Sequence, residues 1–282
     1  MQGWIRILMM CLVLFSKPGF ANHSKYLLDF LKKDFEEVDD YFSGIAGLDK
    51  IYVINLDHKT DRRYRMDNLL TRYGLQYERF SAVNGWAFDK ILLRKFQVQC
   101  LLPVPNRRTI LPGQIGCFLS HLSIIKHALD KGYETIWVLE DDIVFNKDPK
   151  KILKEFIFNM SAEKIEWDIL FTDLNSRYIL ADGSIGHYIV FRGSLGSDFD
   201  YESAGSIDLA PSINFAKQIQ HRLGAYSIVL SRRGMLKIFN YFMKHPLQSA
   251  YDVDWNFFEN TRFFQLLEDV VTTNGLESST TP

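Results

Sequence analysis

Cysteine is scarce in this chain: there are three in 282 residues, and no two stand in a Cys-x-x-Cys pair. Without such spacing a structural zinc knot is not expected. Cys11 falls in the leader described below. Cys100 and Cys117 remain; an oxidising compartment would let them pair, and as two isolated core thiols they need not. A surplus of either charge is also missing, with 33 Lys+Arg against 34 Asp+Glu. That argues against a dedicated nucleic-acid binder, which carries a basic excess. Beyond the leader no run is apolar enough to span a bilayer. There is no internal repeat and no long linker. The chain does carry 47% hydrophobic and 14% aromatic residues, enough for a sizeable core.

The first residues read as an export signal over 1–21. Arg6 supplies the positive charge, Ile7 to Phe15 a short apolar run, and Gly19-Phe20-Ala21 a small-x-small cleavage site. The alternative is an uncleaved leader that associates with a membrane. Ser24 to Phe42, within a 22–48 segment, is expected to be an amphipathic helix: Leu27, Leu31, Phe35, Val38 and Phe42 recur at steps of three or four. It packs on the domain or serves a homodimer.

The main domain is expected over 49–270. Ile51–Asn55 reads as a buried strand, Lys59–Tyr73 as a helix and Tyr77–Ala82 as a second strand, which makes a parallel βαβ unit. A helix from about Gln114 to Leu129 precedes the strand Thr135–Leu139. Helices near Pro149–Phe158 and Ser231–Lys244, and strands Trp167–Thr172 and Ala225–Leu230, follow. Asp182 to Ser212 is a long polar loop with a strand-like Tyr188–Phe191 inside it. The Ser/Thr-rich tail, 271–282, is expected to be disordered. The fold class is α/β.

The chemistry centres on Thr135-Ile-Trp-Val-Leu139 running into Glu140-Asp141-Asp142. Acids at the carboxyl end of a buried strand lie where open α/β sheets bind ligands. Glu140 and Asp142 fall on one side of an extended chain, with Asp141 opposite. Two hard oxygen ligands seat Mg²⁺ or Mn²⁺ that also binds a phosphate. The plainer reading is an acidic turn before the helix that starts at Asp148-Pro149. At the end of the first strand, Asn55-Leu56-Asp57 and Asp61-Arg62-Arg63 suit a nucleotide, amide to base or ribose and guanidinium to phosphate. In Pro112-Gly-Gln-Ile-Gly-Cys-Phe-Leu-Ser-His121, Gly113 and Gly116 allow a close backbone approach. Ser120 and His121 are adjacent on a helix and diverge by about a hundred degrees, so they make no nucleophilic dyad; His121 more plausibly donates to a ligand or a neighbouring acid. Asp173 and the pair Asp252 and Asp254, beside Trp255, are further carboxylates of either functional or structural use.

Taken together, the chain resembles glycosyltransferase family 25, the lipooligosaccharide galactosyltransferases of bacteria and the collagen galactosyltransferases, over roughly residues 50 to 260. The blocks that carry the likeness are Tyr52–Leu56 with Asp61-Arg62-Arg63, Glu78–Gly85, Gly113–His121 and Leu139–Asp142, with Ala225-Tyr226, Ser231 and Gly234 behind them. The resemblance implies a GT-A-type Rossmann-like mixed sheet flanked by helices. It implies inverting transfer of a hexose, usually galactose, from a UDP-sugar to a glycan, lipooligosaccharide or glycoprotein hydroxyl. It implies that Glu140-Asp141-Asp142 stands in for the Asp-x-Asp metal motif, with Asn55, Leu56, Asp61, Arg62, Gly85, Gly113, Ser120, His121 and Asp141 around the donor. Mn²⁺ or Mg²⁺ on Asp142 and Glu140 would neutralise the leaving phosphate. The general base is sought among Asp173, Asp252 and Asp254, with Asp254 favoured. Bacterial members of the family work in the cytoplasm, so an export signal is a departure; the alternative location is the cytoplasmic face of the inner membrane. Two competing readings are a glycan-binding or scaffolding relative without turnover, and a hydrolase with paired acids.

Overall fold

The central β1 (Lys50–Asn55) is buried along its whole length. Such a run suits a strand covered on both faces. In the computed structural model, which describes residues 23–33, 35, 41–101, 110–174, 177–179, 185–187, 213–219, 222–258 and 260–273, β1 pairs in parallel with β2 (Glu78–Ser81) and with β3 (Thr135–Glu140). The α2 helix (Thr60–Arg72) makes the β1-to-β2 crossover. Beyond β3 the directions are mixed. β9 (Ser227–Ser231) is antiparallel to both β3 and β5 (Ile169–Phe171), β10 (Phe263–Leu266) is parallel to β5, and β8 (Ala216–Ile219) closes the edge antiparallel to β10. The seven-stranded mixed order is β2-β1-β3-β9-β5-β10-β8. A Rossmann-like α/β fold with a mixed sheet, as the sequence led us to expect, is what the chain adopts. Two small ribbons stand apart: β4 (Ile143–Phe145) with β11 (Val271–Thr273), and β6 (Arg177–Ile179) with β7 (Ile185–His187).

The pleat separates two cores. Tyr52 and Ile54 of β1 face one side with α4 (Pro112–Lys131) and α6 (Arg232–Lys244). Ile51 and Val53 face the other with α2 and α5 (Pro149–Ala162), through Met66, Leu70, Leu153 and Phe156. The period of two on the strand against 3.6 on the helices produces this division. The α4 helix begins with Pro112, where the missing N–H costs nothing, and ends at Gly132 with φ 78°.

The structure departs from the expectations at several points. The N-terminal helix, α1 (His23–Phe30), stops well before Phe42. Its continuation is drawn onto the domain: the Lys32 backbone N–H donates to Ser123 Oγ at 3.0 Å, its ammonium donates to Ser81 O at 2.9 Å, and the Phe35 ring stacks on His127 at 3.7 Å. A backbone N–H captured by another helix's hydroxyl is lost to the α-helical ladder. Val271–Thr273, at the start of the expected tail, pair with β4. A helix the sequence reading passed over, α3 (Lys90–Cys100), is capped by Asp89, whose side chain accepts from Leu92 N at 2.7 Å. Cys100 and Cys117 are both free thiols, so the disulfide alternative is set aside. The leader 1–21 and the strand-like Tyr188–Phe191 lie outside the described residues, as does most of the polar loop and of the tail. Among the described residues no helix is long and apolar enough to cross a membrane.

Candidate active site

Because β1 and β3 are parallel, with Ile54 opposite Glu140, their carboxyl ends deliver Asn55 and the acidic turn to the same place. The middle acid is the anchored one. Asp141 accepts from Asn55 Nδ2 at 2.7 Å and from Arg62 Nη1 at 3.0 Å, and all three are buried. Arg65 donates to its backbone carbonyl. The Asn55 amide is itself oriented by Arg79, whose Nε donates to Asn55 Oδ1 at 3.1 Å. A buried carboxylate with two charge-assisted or amide donors is satisfied. Asp141 therefore fixes the turn and leaves ligand duty to its neighbours.

One of those neighbours is unsatisfied. Asp142 Oδ1 is buried and has no hydrogen-bond partner. Its carboxyl is pushed up to about 7, first by burial and then by the charges of Glu140 and Asp141, with Arg62 opposing. Like charges crowded at a half-buried site raise proton affinity in this way. Glu140 Oε1 lies 3.3 Å from His121 Nε2, so the neighbouring acid foreseen for His121 is Glu140. An orphaned oxygen and an acid excess at the end of a strand fit a hard divalent cation, held by Asp142 and Glu140. The cleft they face is also lined by Leu56, Arg62, Asn84, Gly85, Trp86, Gly113, Cys117 and Ser120.

The other wall is built by an interlock of glycines. The turn after β2 presses on the first turns of α4 so closely that a Cβ on Gly116 would sit 2.3 Å from Val83 O. The close approach foreseen at this helix is thus to the chain's own backbone. Ser120 secures it: its Oγ accepts from Val83 N at 2.9 Å and donates to Gly116 O at 2.7 Å. Ser120 lines the cleft, yet its hydroxyl already serves the fold. Asn84 accepts from Trp86 N at 3.1 Å and starts a single 3₁₀ turn, Gly85–Ala87, that leaves Trp86 41% exposed at the cleft. Trp86 and Cys117 were not singled out as ligand contacts from the sequence. The signal for Cys117 was there, one helical turn before His121.

The remaining carboxylates separate. Asp254 is fully buried and does not line the cleft. It accepts from Gln248 N at 2.6 Å, Ser249 N at 3.0 Å and Ser249 Oγ at 2.5 Å, which ties the segment before the short α7 (Tyr251–Asp254) to that helix's last residue. Asp173 is buried in an ion pair with Arg222 at 2.5 Å and accepts from the Tyr226 hydroxyl. Neither is brought to the cleft, so the preference for Asp254 as base is withdrawn. Asp252 is different. Burial raises its carboxyl, Glu140 raises it further and His121 lowers it, while the Gly224 N–H donates to it at 2.9 Å. Glu140 and His121 both act on it electrostatically, although, like Asp254 and Asp173, it is not among the residues that line the cleft. Asp61, in the first turn of α2, is exposed and outside the cleft lining.

The sequence profile of glycosyltransferase family 25, described as an LPS biosynthesis protein family, matches residues 48–255. The chain belongs to glycosyltransferase family 25. The match starts just before β1 and takes in Asp252, so α1 lies outside it. Two similar human proteins are the inactive glycosyltransferase 25 family member 3, 33% identical over 129 residues, and procollagen galactosyltransferase 2, 32% identical over 128. Each match covers 44% of this chain, and 22% and 20% of those proteins. Procollagen galactosyltransferase 1-A of Xenopus laevis is 27% identical over 173 residues, 60% of this chain and 27% of that protein. The chain thus spans only about a quarter or less of the length of these relatives.

Proposed function

We propose that this protein transfers a hexose, galactose by preference, from a UDP-sugar to a hydroxyl of a glycan, lipooligosaccharide or glycoprotein, with inversion and with Mn²⁺ or Mg²⁺ at Asp142 and Glu140. The observation that carries the reading is the orphaned Asp142 carboxylate beside Glu140 in a cleft at the carboxyl ends of β1 and β3 on a family 25 scaffold. When bound, the cation supplies positive charge to the departing diphosphate. Arg62, locked on Asp141, presents its guanidinium at the same wall and stabilises the same developing charge. The Trp86 ring offers a face for the base or the sugar. In the transfer, the acceptor oxygen forms the new bond to the anomeric carbon. The bond to the phosphate oxygen breaks with its electron pair on UDP, and the acceptor proton passes to a base. We assign that base to Asp252, whose carboxyl is raised by burial and by Glu140.

A second groove, of ≈ 700 Å³, shares Val83 with the donor cleft and is lined by Tyr26, Phe30, Phe88, Lys32 and Lys95. Its aromatic faces suit sugars, and we place the acceptor there. The export signal, on Arg6 and Gly19-Phe20-Ala21, puts the site of action on a secretory route in this reading. The second reading is a glycan-binding relative without turnover. It is favoured by the inactive human family member among the similar proteins.

A thermal-shift screen of UDP-sugars with and without Mn²⁺ tests the proposal. UDP-galactose with Mn²⁺ is expected to raise the melting temperature by mass action, about 2.7 kcal/mol of stabilisation at a hundred times the dissociation constant. A folded sample in which no nucleotide sugar shifts the transition counts against donor use; a shift without any product from an acceptor panel favours the non-catalytic relative. The base assignment has its own check. Asp252→Asn should lower kcat by about 10²–10⁴ while donor binding stays. Asp254→Asn should cost stability, about 1–3 kcal/mol for a buried hydrogen-bonded carboxylate, and leave turnover per folded molecule near wild type. The reverse pattern restores Asp254 as base.

A further inference from the structure

Cys117 and His121 are four residues apart on α4 and so share one face of it. Across from them stands Glu140. Its Oε1 is 3.3 Å from His121 Nε2 and 3.8 Å from Cys117 Sγ, and one ligand atom from each of the three falls within 4.8 Å of the others. Zinc bonds of about 2.0–2.3 Å at tetrahedral angles set ligand atoms about 3.3–3.7 Å apart. Two of the three separations are close to those a zinc ion imposes, and the third lies within 4.8 Å. His121 is wholly buried, its ring rests 4.9 Å from that of Tyr251, and its Nδ1 has no hydrogen-bond partner. Packing therefore fixes the ring, and with a metal on Nε2 the ring proton would sit on Nδ1. Cys117 and Glu140 both line the donor cleft, which leaves the fourth position open to it. The negative charge of Asp142 and Asp252 reaches the thiol and complements a dication.

We propose that Cys117, His121 and Glu140 form a binding site for a thiophilic transition-metal ion, Zn²⁺ in kind, separate from the hard-cation seat on Asp142. The thiol loses its proton to solvent as the sulfur–metal bond forms. The scarcity of cysteine excludes a closed structural knot; one sulfur, one imidazole and one carboxylate with an open position make the other type of zinc site. Because Glu140 is shared, zinc seated here removes one carboxylate from the donor's cation, so micromolar zinc inhibits. That consequence rests on the transferase reading.

The test uses the full chain, stripped of metal with a chelator and titrated with Co²⁺. One equivalent should give a thiolate-to-cobalt charge-transfer band with the intense visible absorption of tetrahedral cobalt, and Zn²⁺ should bleach it. The band should vanish in Cys117→Ser, persist in Cys100→Ser, and need at least ten times more cobalt in His121→Asn. It should persist in Asp142→Asn. No thiolate band on the wild type overturns the proposal, as does a band that survives Cys117→Ser or is lost in Asp142→Asn. Manganese-dependent UDP-sugar binding, measured on the same samples, is expected to fail only in Asp142→Asn among the wild type and that variant. Failure of the donor reading thus shows separately from failure of the zinc site.

Discussion

Asp142→Asn should abolish metal-dependent turnover, by about 10²–10³-fold, and at the same time make the metal-free protein more stable above neutral pH. The two effects have one cause. In the metal-free fold, burial and the charges of Glu140 and Asp141 raise the Asp142 carboxyl to about 7 from its unfolded value of 3.8. A folded pKa above the unfolded one means that the fold binds the extra proton between these values. Stability therefore falls as pH rises from about 4 to about 7, and the full cost stands above that window. An amide carries no charge and escapes it. Because Asp142 is half-buried and water screens part of the repulsion, the gain at pH 8 is set at about 1 kcal/mol, or roughly 2–4 °C in melting temperature for a domain of this size. At pH 4.5 the two proteins should melt closer together. Adding Mn²⁺ at pH 8 should reverse their order, because only the wild type gains binding energy. Melting curves at both pH values, with and without Mn²⁺, read all of this. An Asp142→Asn protein that still gains stability from Mn²⁺ and UDP-galactose together would sink the metal assignment.

How far the sequence could foresee this site depends on the kind of interaction. Strand β3 and its acidic tip are local: a β-branched run with nowhere to put three carboxylates announces itself. So does Asn55 at the end of β1, because a parallel βαβ unit puts both strand ends on one rim. The division of labour among the three acids was not legible. That Asp141 is the anchored acid follows from Arg62, on α2, and from Asn55, each some eighty residues away in the chain. The same holds for the base. Asp252 and Asp254 differ by two positions and look equivalent on paper. Only the fold shows that Gln248 and Ser249 consume both oxygens of Asp254. The end of α1 was misplaced for a related reason: helical periodicity continues to Phe42, but Ser123 and His127, far along the chain, offer Lys32 and Phe35 better partners than another turn of helix. Periodicity reports what a helix would bury; it is silent on competing tertiary contacts.

The largest loss of stability from a single methyl group is expected at Gly85, and it should take the cleft with it. A Cβ there would lie 1.7 Å from Pro112 O, 2.5 Å from Pro112 C and 3.0 Å from Gly116 N, all backbone atoms that cannot swing aside. To admit the methyl, the first turn of α4 must move off the turn that follows β2. That breaks the bond from Val83 N to Ser120 Oγ and shifts Gly113 and Cys117, which form the cleft wall. Overpacking of this type costs roughly 3 kcal/mol, or a fall of roughly 6–12 °C in melting temperature. Gly132→Ala provides the comparison. Gly132 has φ 78°, and nothing stands within 4 Å of a Cβ there, so alanine meets only the left-handed backbone penalty of about 1–2 kcal/mol. Gly85→Ala should also weaken UDP-sugar binding at temperatures where the protein remains folded, whereas Gly132→Ala, at the far end of α4, should leave it intact. Calorimetric unfolding and donor titration of the two variants side by side decide the point: equal losses of stability, or undiminished donor affinity in Gly85→Ala, would mean that the glycine contact between α4 and the turn after β2 does not hold the cleft in shape.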